Sequence, residues 1–241
     1  MKSKIIVCLV FLSLTFMGCY YQGYVKFDTH DPEIVQTDRL KEFMKNNEYP
    51  KIVLRVPNPE LIATGTENND PIFNAIENEF IRAGFRVRDR ALFEEILSSS
   101  EIKTNYEDIS RKTDTDLILE LQKLDTDVYY ETNKYYTYDG KERVFPVNNF
   151  LSAPGAEVRF KLVLIKENEL AGSFIFHYAP CPGGCDVVVS GTNVFYKFEK
   201  GTTENYPYQS VEINTLEEFI KSVTRDLIRR LDSMRNSKNL Y

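Results

Sequence analysis

At 241 residues the chain is long enough for one large domain with a substantial core, or one domain with an extension. Its formal net charge of −6, with no run of Lys and Arg in the mature portion, excludes nucleic acid as a natural partner, because a polyanion is repelled unless a local basic patch overcomes that field. No internal repeat imposes a different domain count.

Lys2 and Lys4 precede an apolar run from Ile5 to Phe16, broken only by Ser13 and Thr15, and the segment closes on Phe16-Met17-Gly18-Cys19. The run is too short for an ordinary membrane span, and a small residue before a cysteine is what a lipoprotein signal peptidase needs at its cut. Residues 1–18 therefore read as a lipoprotein signal peptide, with Cys19 the acylated first residue. The competing reading is an ordinary secretory signal with an incidental cysteine. Loss of Lys2 and Lys4 without any acidic residue moves the net charge from −6 to −8, so membrane attachment must come from lipid. At about 0.8 kcal/mol per buried methylene, two or three acyl chains anchor firmly.

Tyr20 to Asn47 is polar apart from Ile34, Val35, Leu40, Phe43 and Met44, and predicts a tether followed by a short helix over 19–47. Leu40, Phe43 and Met44 at helical spacing suit docking on the main core. Lys51-Ile52-Val53-Leu54-Arg55-Val56 predicts an interior strand closed by Pro57-Asn58-Pro59, and Thr64 to Asn69 a loop that matches no phosphate-binding motif.

Asp70 is placed to cap a helix with Pro71 at its first position, where a missing N–H costs nothing. Ile72, Phe73, Ile76, Phe80 and Ile81 recur at spacings of three and four and predict the buried face, with Asn74, Glu77, Asn78, Glu79 and Arg82 opposite. Gly84 stops the helix, Phe85-Arg86-Val87-Arg88 alternates as a half-buried strand, and Asp89 caps a second helix carrying Leu92, Phe93, Ile96 and Leu97 inward. Leu117-Ile118-Leu119-Glu120-Leu121 is apolar on both faces at its start, which marks an interior strand beside residues 52–56. The order strand, helix, strand, helix, helix, strand implies a sheet with helices packed on it.

Residues 83–97, Ala83-Gly84-Phe85-Arg86-Val87-Arg88-Asp89-Arg90-Ala91-Leu92-Phe93-Glu94-Glu95-Ile96-Leu97, followed by Thr113-Asp114-Thr115-Asp116-Leu117-Ile118-Leu119, resemble the periplasmic α/β domain of curli-secretion (CsgG-like) lipoproteins and the related amino-terminal domain of TolB. The resemblance covers roughly residues 50 to 125 and departs in having Asp114 where that family usually carries glycine. It implies an α/β fold and an assembly or scaffold role without a common active site. A membrane-spanning barrel like that of curli secretion is not expected, since the later strands carry charges on the face that lipid would meet.

From Asp125 to Val147 the composition shifts, with Tyr129, Tyr130, Tyr135, Tyr136 and Tyr138 flanking Asp139-Gly140, a hairpin signal. These five tyrosines are candidates for partner binding, because each ring buries large area at small entropic cost, but they suit ordinary strands equally well. Asn148 to Gly155 predicts a loop, Glu157–Ile165 and Leu170–Tyr178 an antiparallel hairpin, and Val187–Val189 and Val194–Phe198 further short strands. Thr215-Leu216-Glu217-Glu218 predicts a capping box opening a long final helix striped by Leu216, Phe219, Ile220, Val223, Leu227, Ile228 and Leu231.

Cys181-Pro182-Gly183-Gly184-Cys185 has the residues for a tight reversal, and export favours a disulfide; free thiols and a metal or redox site remain the alternatives. Zinc would need two further ligands, for which only His30, His177 and carboxylates are available. No nucleophile elbow accompanies either histidine, and Asp114-Thr115-Asp116 and Asp125-Thr126-Asp127 do not continue into a calcium loop. No catalytic residue, metal site or cofactor is assigned. The expected fold class is α/β: a mixed sheet with packed helices, then antiparallel hairpins and a long C-terminal helix, with 48–241 a single domain carrying a tyrosine-rich insertion near 125–155. The expected role is non-enzymatic: a lipid-anchored module of the cell envelope, at the outer membrane and facing the periplasm, that binds envelope proteins or itself in assembly or transport. A small-molecule or glycan-binding lipoprotein is one alternative, and an enzyme with an unrecognised site is another.

Overall fold

A computed structural model describes residues 20–62, 68–99, 106–145, 150–190, 193–197 and 211–236. The signal segment with Cys19, and most of the loop at 64–69, lie outside the described residues. In chain order the elements are β1 (Tyr20–Val25), β2 (Glu33–Gln36), α1 (Asp38–Asn46), β3 (Lys51–Arg55), a 3-10 turn (Pro59–Leu61), α2 (Asp70–Arg82), β4 (Arg86–Val87), α3 (Arg90–Ser99), α4 (Tyr106–Thr113), β5 (Leu117–Thr132), β6 (Lys134–Thr137), β7 (Glu142–Val144), β8 (Leu151–Leu164), β9 (Glu169–Tyr178), β10 (Cys185–Ser190), β11 (Asn193–Tyr196) and α5 (Ile213–Asn236). The chain divides into two compact units, one of 1–28, 130–153 and 180–207, the other of 29–129, 154–179 and 208–241.

The larger unit is built on a six-stranded mixed sheet in the order β2-β9-β8-β5-β3-β4. β3 runs parallel to β5, with Ile52 opposite Leu117 and Leu54 opposite Leu119, so the two interior segments share one sheet as their apolar pattern requires. On one face Ile52, Leu54, Leu117, Leu119 and Leu121 pack with Leu40 and Met44 of α1, Ile72, Ile76 and Phe80 of α2, and the stripe Leu216–Leu231 of α5. Each fully buried side chain of this size contributes about 1.5–3 kcal/mol. On the other face Val53, Ile118, Val163 and Ile165 are covered by Phe93 of α3 and Ile109 of α4.

α2 ends as its sequence dictates. Gly84 takes φ +84, its amide bonds Ile81 O at 3.0 Å, and Phe85 N reaches back to Phe80 O at 3.1 Å. This is the paired-bond glycine cap in which the residue after the glycine packs on the third-last helical one. Phe85 does so on Phe80, edge to face with centroids 5.0 Å apart. Asp89 Oδ1 caps α3 by accepting from Leu92 N at 2.8 Å.

Several expectations are corrected. Tyr20–Val25 and Glu33–Gln36 are strands, not tether, because each finds partners in distant segments: β1 between β10 and β6, β2 on β9. Ile81 is 55% exposed and Glu79 is buried. At 100° per residue Glu79 lies in line with Ile72 and Ile76, whereas Ile81 falls on the far side from Ile72. Leu92 is likewise 55% exposed, leaving Phe93 as the deeply buried residue of α3. Asn69, not Asp70, occupies the cap position of α2. α5 begins at Ile213, where Leu216 N bonds Glu212 O at 2.9 Å, so Thr215 lies inside the helix rather than capping it. Ser152-Ala153-Pro154-Gly155 continues β8 as extended backbone instead of forming a loop, with Ala153 buried.

The smaller unit carries a five-stranded sheet in the order β11-β10-β1-β6-β7. Its hairpin turns at Asp139-Gly140, with Gly140 at φ +83 and its amide on Thr137 O at 2.8 Å. No helix among the described residues is long and apolar enough to cross a membrane.

Candidate functional site

Of the five candidate tyrosines, Tyr129 falls in the larger unit and Tyr130, Tyr135, Tyr136 and Tyr138 in the smaller one. Tyr130 and Tyr135 are buried, and Tyr135 stacks on Phe145 with centroids 5.2 Å apart and planes 6° from parallel. These two serve the fold and are removed from the candidate binding surface. Tyr136 alternates to the opposite face from Tyr135, while Tyr138 and Tyr129 are 59% and 58% exposed. β1 supplies a ring that sequence reasoning did not select. Tyr24 stands directly opposite Tyr136 in β6 and opposite Asp186 in β10, and Tyr136 in turn opposes Glu142 in β7. One row of four side chains, Asp186, Tyr24, Tyr136 and Glu142, therefore crosses four strands on one face.

The rings of Tyr24 and Tyr136 lie 5.5 Å apart, inclined by 21°, and Tyr138 tilts against Tyr24 at 6.4 Å. Such pairs add about 0.5–1.5 kcal/mol beyond their burial. The ammonium of Lys26 sits 5.4 Å from the Tyr24 centroid and 6.0 Å from that of Tyr136, within cation–π range. A carboxylate closes each end of the row. Tyr136 Oη donates to Glu142 Oε2 at 3.0 Å, and this bond, with desolvation, raises the Tyr136 phenol above its ordinary value. Desolvation and then the Asp186 carboxylate raise Tyr138. Glu142 is held low by Lys134 first and by Tyr136 second, so the acid stays ionised and the phenols stay neutral donors.

Two glycines set this geometry. A Cβ on Gly23 would meet Tyr136 O at 2.3 Å, so only glycine lets β1 approach β6 closely enough to bring Tyr24 onto Tyr136. The Cys181–Cys185 disulfide, with Cα atoms 5.3 Å apart, closes the turn in which Gly184 N bonds Cys181 O at 2.8 Å. Gly184, at φ +92, is thereby pressed against the Tyr24 ring. The cysteine pair thus supports the aromatic row, a connection the sequence could not show because Tyr24 and Gly184 meet only through the register of β1 on β10.

Among the described residues, open cavities of the larger unit include the following two. One of about 500 Å³ is lined by Lys51, Ser110, Arg111, Asp114, Thr115, Asp116 and Lys166. Another of about 710 Å³ is lined by residues including Asn74, Glu77, Ile81, Arg88 and Arg90. In the first, Lys51 Nζ bonds Asp114 Oδ1 at 2.5 Å and Arg88 closes on the other Asp114 oxygen, so its charges are largely satisfied within the fold. None of the candidate tyrosines lines either cavity.

The chain matches no protein-family model and no curated relative. Among solved structures it is similar to the PelC dodecamer from Paraburkholderia phytofirmans, at 13% identity and TM-score 0.31, over 92% of this chain and 100% of that one. It is also similar to lipoprotein GNA1162 from Neisseria meningitidis, at 11% identity and TM-score 0.30, over 75% of this chain and 99% of that one. Likeness at this level transfers no function to the present chain.

Proposed function

We propose that this chain is a lipid-anchored module of the cell envelope that binds other envelope proteins through the Tyr24–Tyr136–Tyr138 face of its five-stranded sheet, without catalysing a reaction. The observation that carries the reading is the assembly of three tyrosines from two separate segments into one ring cluster on an outward face, framed by ionised groups at both ends. Tyrosine surfaces of this kind supply rigid contact area with a polar tip, the composition of protein-recognition patches. The lipobox ending in Gly18-Cys19 supports the anchor and an exported location, and the disulfide fits an oxidising compartment.

Crosslinking in the native envelope, followed by identification of the attached chains, tests this function. The reading expects a defined protein neighbour that is lost in Tyr24→Ser; recovery of no neighbour above background contradicts it. Cys19→Ala should release the chain from membranes, and unchanged membrane retention would overturn the anchor.

A further inference from the structure

The six-stranded sheet ends at β2, and one side of that strand's backbone meets no other strand among the described residues. β2 runs antiparallel to β9, with Glu33 opposite Ile175 and Gln36 opposite Gly172, and just upstream the ring of His30 lies 5.2 Å from that of His177. One step further Thr37 N donates to Ala171 O at 3.0 Å, and in an antiparallel ladder the residues that turn their amides and carbonyls to the neighbour alternate. Val35 and Glu33 therefore turn theirs to β9 as Thr37 does. The N–H and C=O groups of Ile34 and Gln36 point the other way, along the open edge. Between them the side chain of Val35 is 66% exposed. The opposite edge of the same sheet, β4, is guarded by its two-residue length and by Arg86, whereas β2 carries Glu33 as its one charge and neither lysine nor proline.

We propose that β2 pairs with β2 of a second copy of this chain, antiparallel about a two-fold axis at Val35, so that two six-stranded sheets join edge to edge. An axis normal to the sheet keeps each face on its own side, so opposed residues must be an even number of positions apart. With Ile34 opposite Gln36 of the second copy, the outward amide and carbonyl of each meet those of the other, giving two hydrogen bonds on either side of the axis. No outward group of these residues is left over. Val35 then faces Val35 of the second copy at a non-hydrogen-bonded position, where Cα atoms stand about 4.5 Å apart and the side chains touch. The register with Ile34 opposite itself would instead set Glu33 against Val35, and Gln36 against Pro32, which has no N–H to give.

The same register is complementary in charge. Glu33 comes opposite Thr37 of the second copy, the cap residue of α1, so its carboxylate stands at the positive end of that helix, with exposed Arg39 in the first turn. Asp38, the acid of that turn, is already held by Lys41 at 2.8 Å. A strand this short pairs weakly between freely diffusing chains. Lipid attachment at Cys19 confines the copies to one surface and raises their effective concentration toward the millimolar range, where a small contact fills. The strength of the pairing thus rests on the anchor of the proposed function, while its geometry does not and uses none of the tyrosine-face residues.

Val35→Cys in the full lipidated chain, reconstituted in vesicles and treated with diamide, tests the register, because Cys181 and Cys185 are bonded to each other and Cys8 and Cys19 belong to the signal and the anchor. The spacing at a non-hydrogen-bonded position suits a disulfide, so a covalent dimer is expected, at least about tenfold more of it than from Glu33→Cys, which is equally exposed in β2 but stands away from the axis. Adding Gln36→Pro removes an outward N–H without touching the β9 ladder and should abolish the link. If circular dichroism shows that this variant does not fold, Glu33→Lys, which sets a cation against the positive helix end, should reduce the link instead. Vesicle flotation scores the anchor separately, and a chain that does not float is assayed in solution at about 1 mM. No dimer from folded Val35→Cys, equal amounts from Val35→Cys and Glu33→Cys, or a link unchanged by Gln36→Pro overturns the pairing.

Discussion

Gly184 lies against the ring of Tyr24: a Cβ at this glycine would stand 2.8 Å from Tyr24 Cδ2, and its φ of +92 suits no other residue well. The disulfide loop is therefore a support for the aromatic row as well as a closure between two strands. Gly184→Ala should destabilise the protein by more than about 1 kcal/mol, because it combines left-handed strain with a ring clash. Gly183→Ala, whose Cβ would meet nothing within 4 Å, is the matched control and should be near neutral. With 15 tyrosines and no tryptophan in the chain, near-ultraviolet circular dichroism reports the tyrosine environment directly. It should change in Gly184→Ala and not in Gly183→Ala.

Adjacent tyrosines should behave oppositely on substitution. Tyr135→Ala removes a buried ring stacked on Phe145 and should cost about 3–5 kcal/mol in denaturant unfolding. Tyr138→Ala, more than half exposed, should stay within about 0.5 kcal/mol of wild type while weakening partner capture. Equal stability losses at the two positions would remove the distinction between core and contact tyrosines.

Glu79 gives the larger unit an acid-sensitive link. Its carboxylate is buried, accepts from Arg225 Nε and an Arg225 terminal nitrogen at 2.9 Å each, and from Arg82 at 2.7 Å. The Arg225 hydrogen bonds hold its pKa below the ordinary carboxylate value. Because the folded-state pKa is depressed, the stabilisation is fully present above the unfolded carboxylate pKa and is lost as pH falls through the folded one. Arg225 is half exposed, so solvent screening limits the effect, and Arg225→Ala should destabilise the protein at neutral pH by leaving the buried Glu79 carboxylate short of a partner. The difference between wild type and Arg225→Ala should shrink as the solution is acidified below the carboxylate range, which unfolding curves at several pH values will show.

Asp114 occupies a left-handed position, φ +51. Aspartate tolerates this conformation and uses its carboxylate to gather Lys51 and Arg88. Asp114→Gly should be nearly neutral, trading exposed ion pairs for relief of strain, whereas Asp114→Ala loses the pairs and keeps the strain and should be the less stable of the two. Thermal unfolding of the two variants checks the order.

What the sequence disclosed was the structure fixed by neighbours in the chain. Pro71, Gly84 and Asp89 punctuate α2, β4 and α3 through local bonds, and the apolar runs at 52–56 and 117–121 carry their burial in their own pattern. Features set by register against remote segments were not legible. Tyr24 sits in Tyr20–Val25, a polar stretch with a glycine, and gains its role only by facing Tyr136 and Asp186. Tyr135 and Tyr136 look alike in sequence, and only the sheet decides which one turns inward. Pro154-Gly155 reads as loop but is carried through as strand, and the approach of His30 to His177 depends on β2 joining β9.

The central claim is that the outward ring cluster is the surface at which another protein is held. A photoreactive residue placed at position 138, compared with one at exposed position 229 of α5, in cells carrying the lipidated chain, tests it most directly. The account predicts one defined crosslinked protein from position 138, absent from position 229 and abolished by Tyr24→Ser. Identical products from both positions, or a product at 138 that survives Tyr24→Ser unchanged, would contradict it.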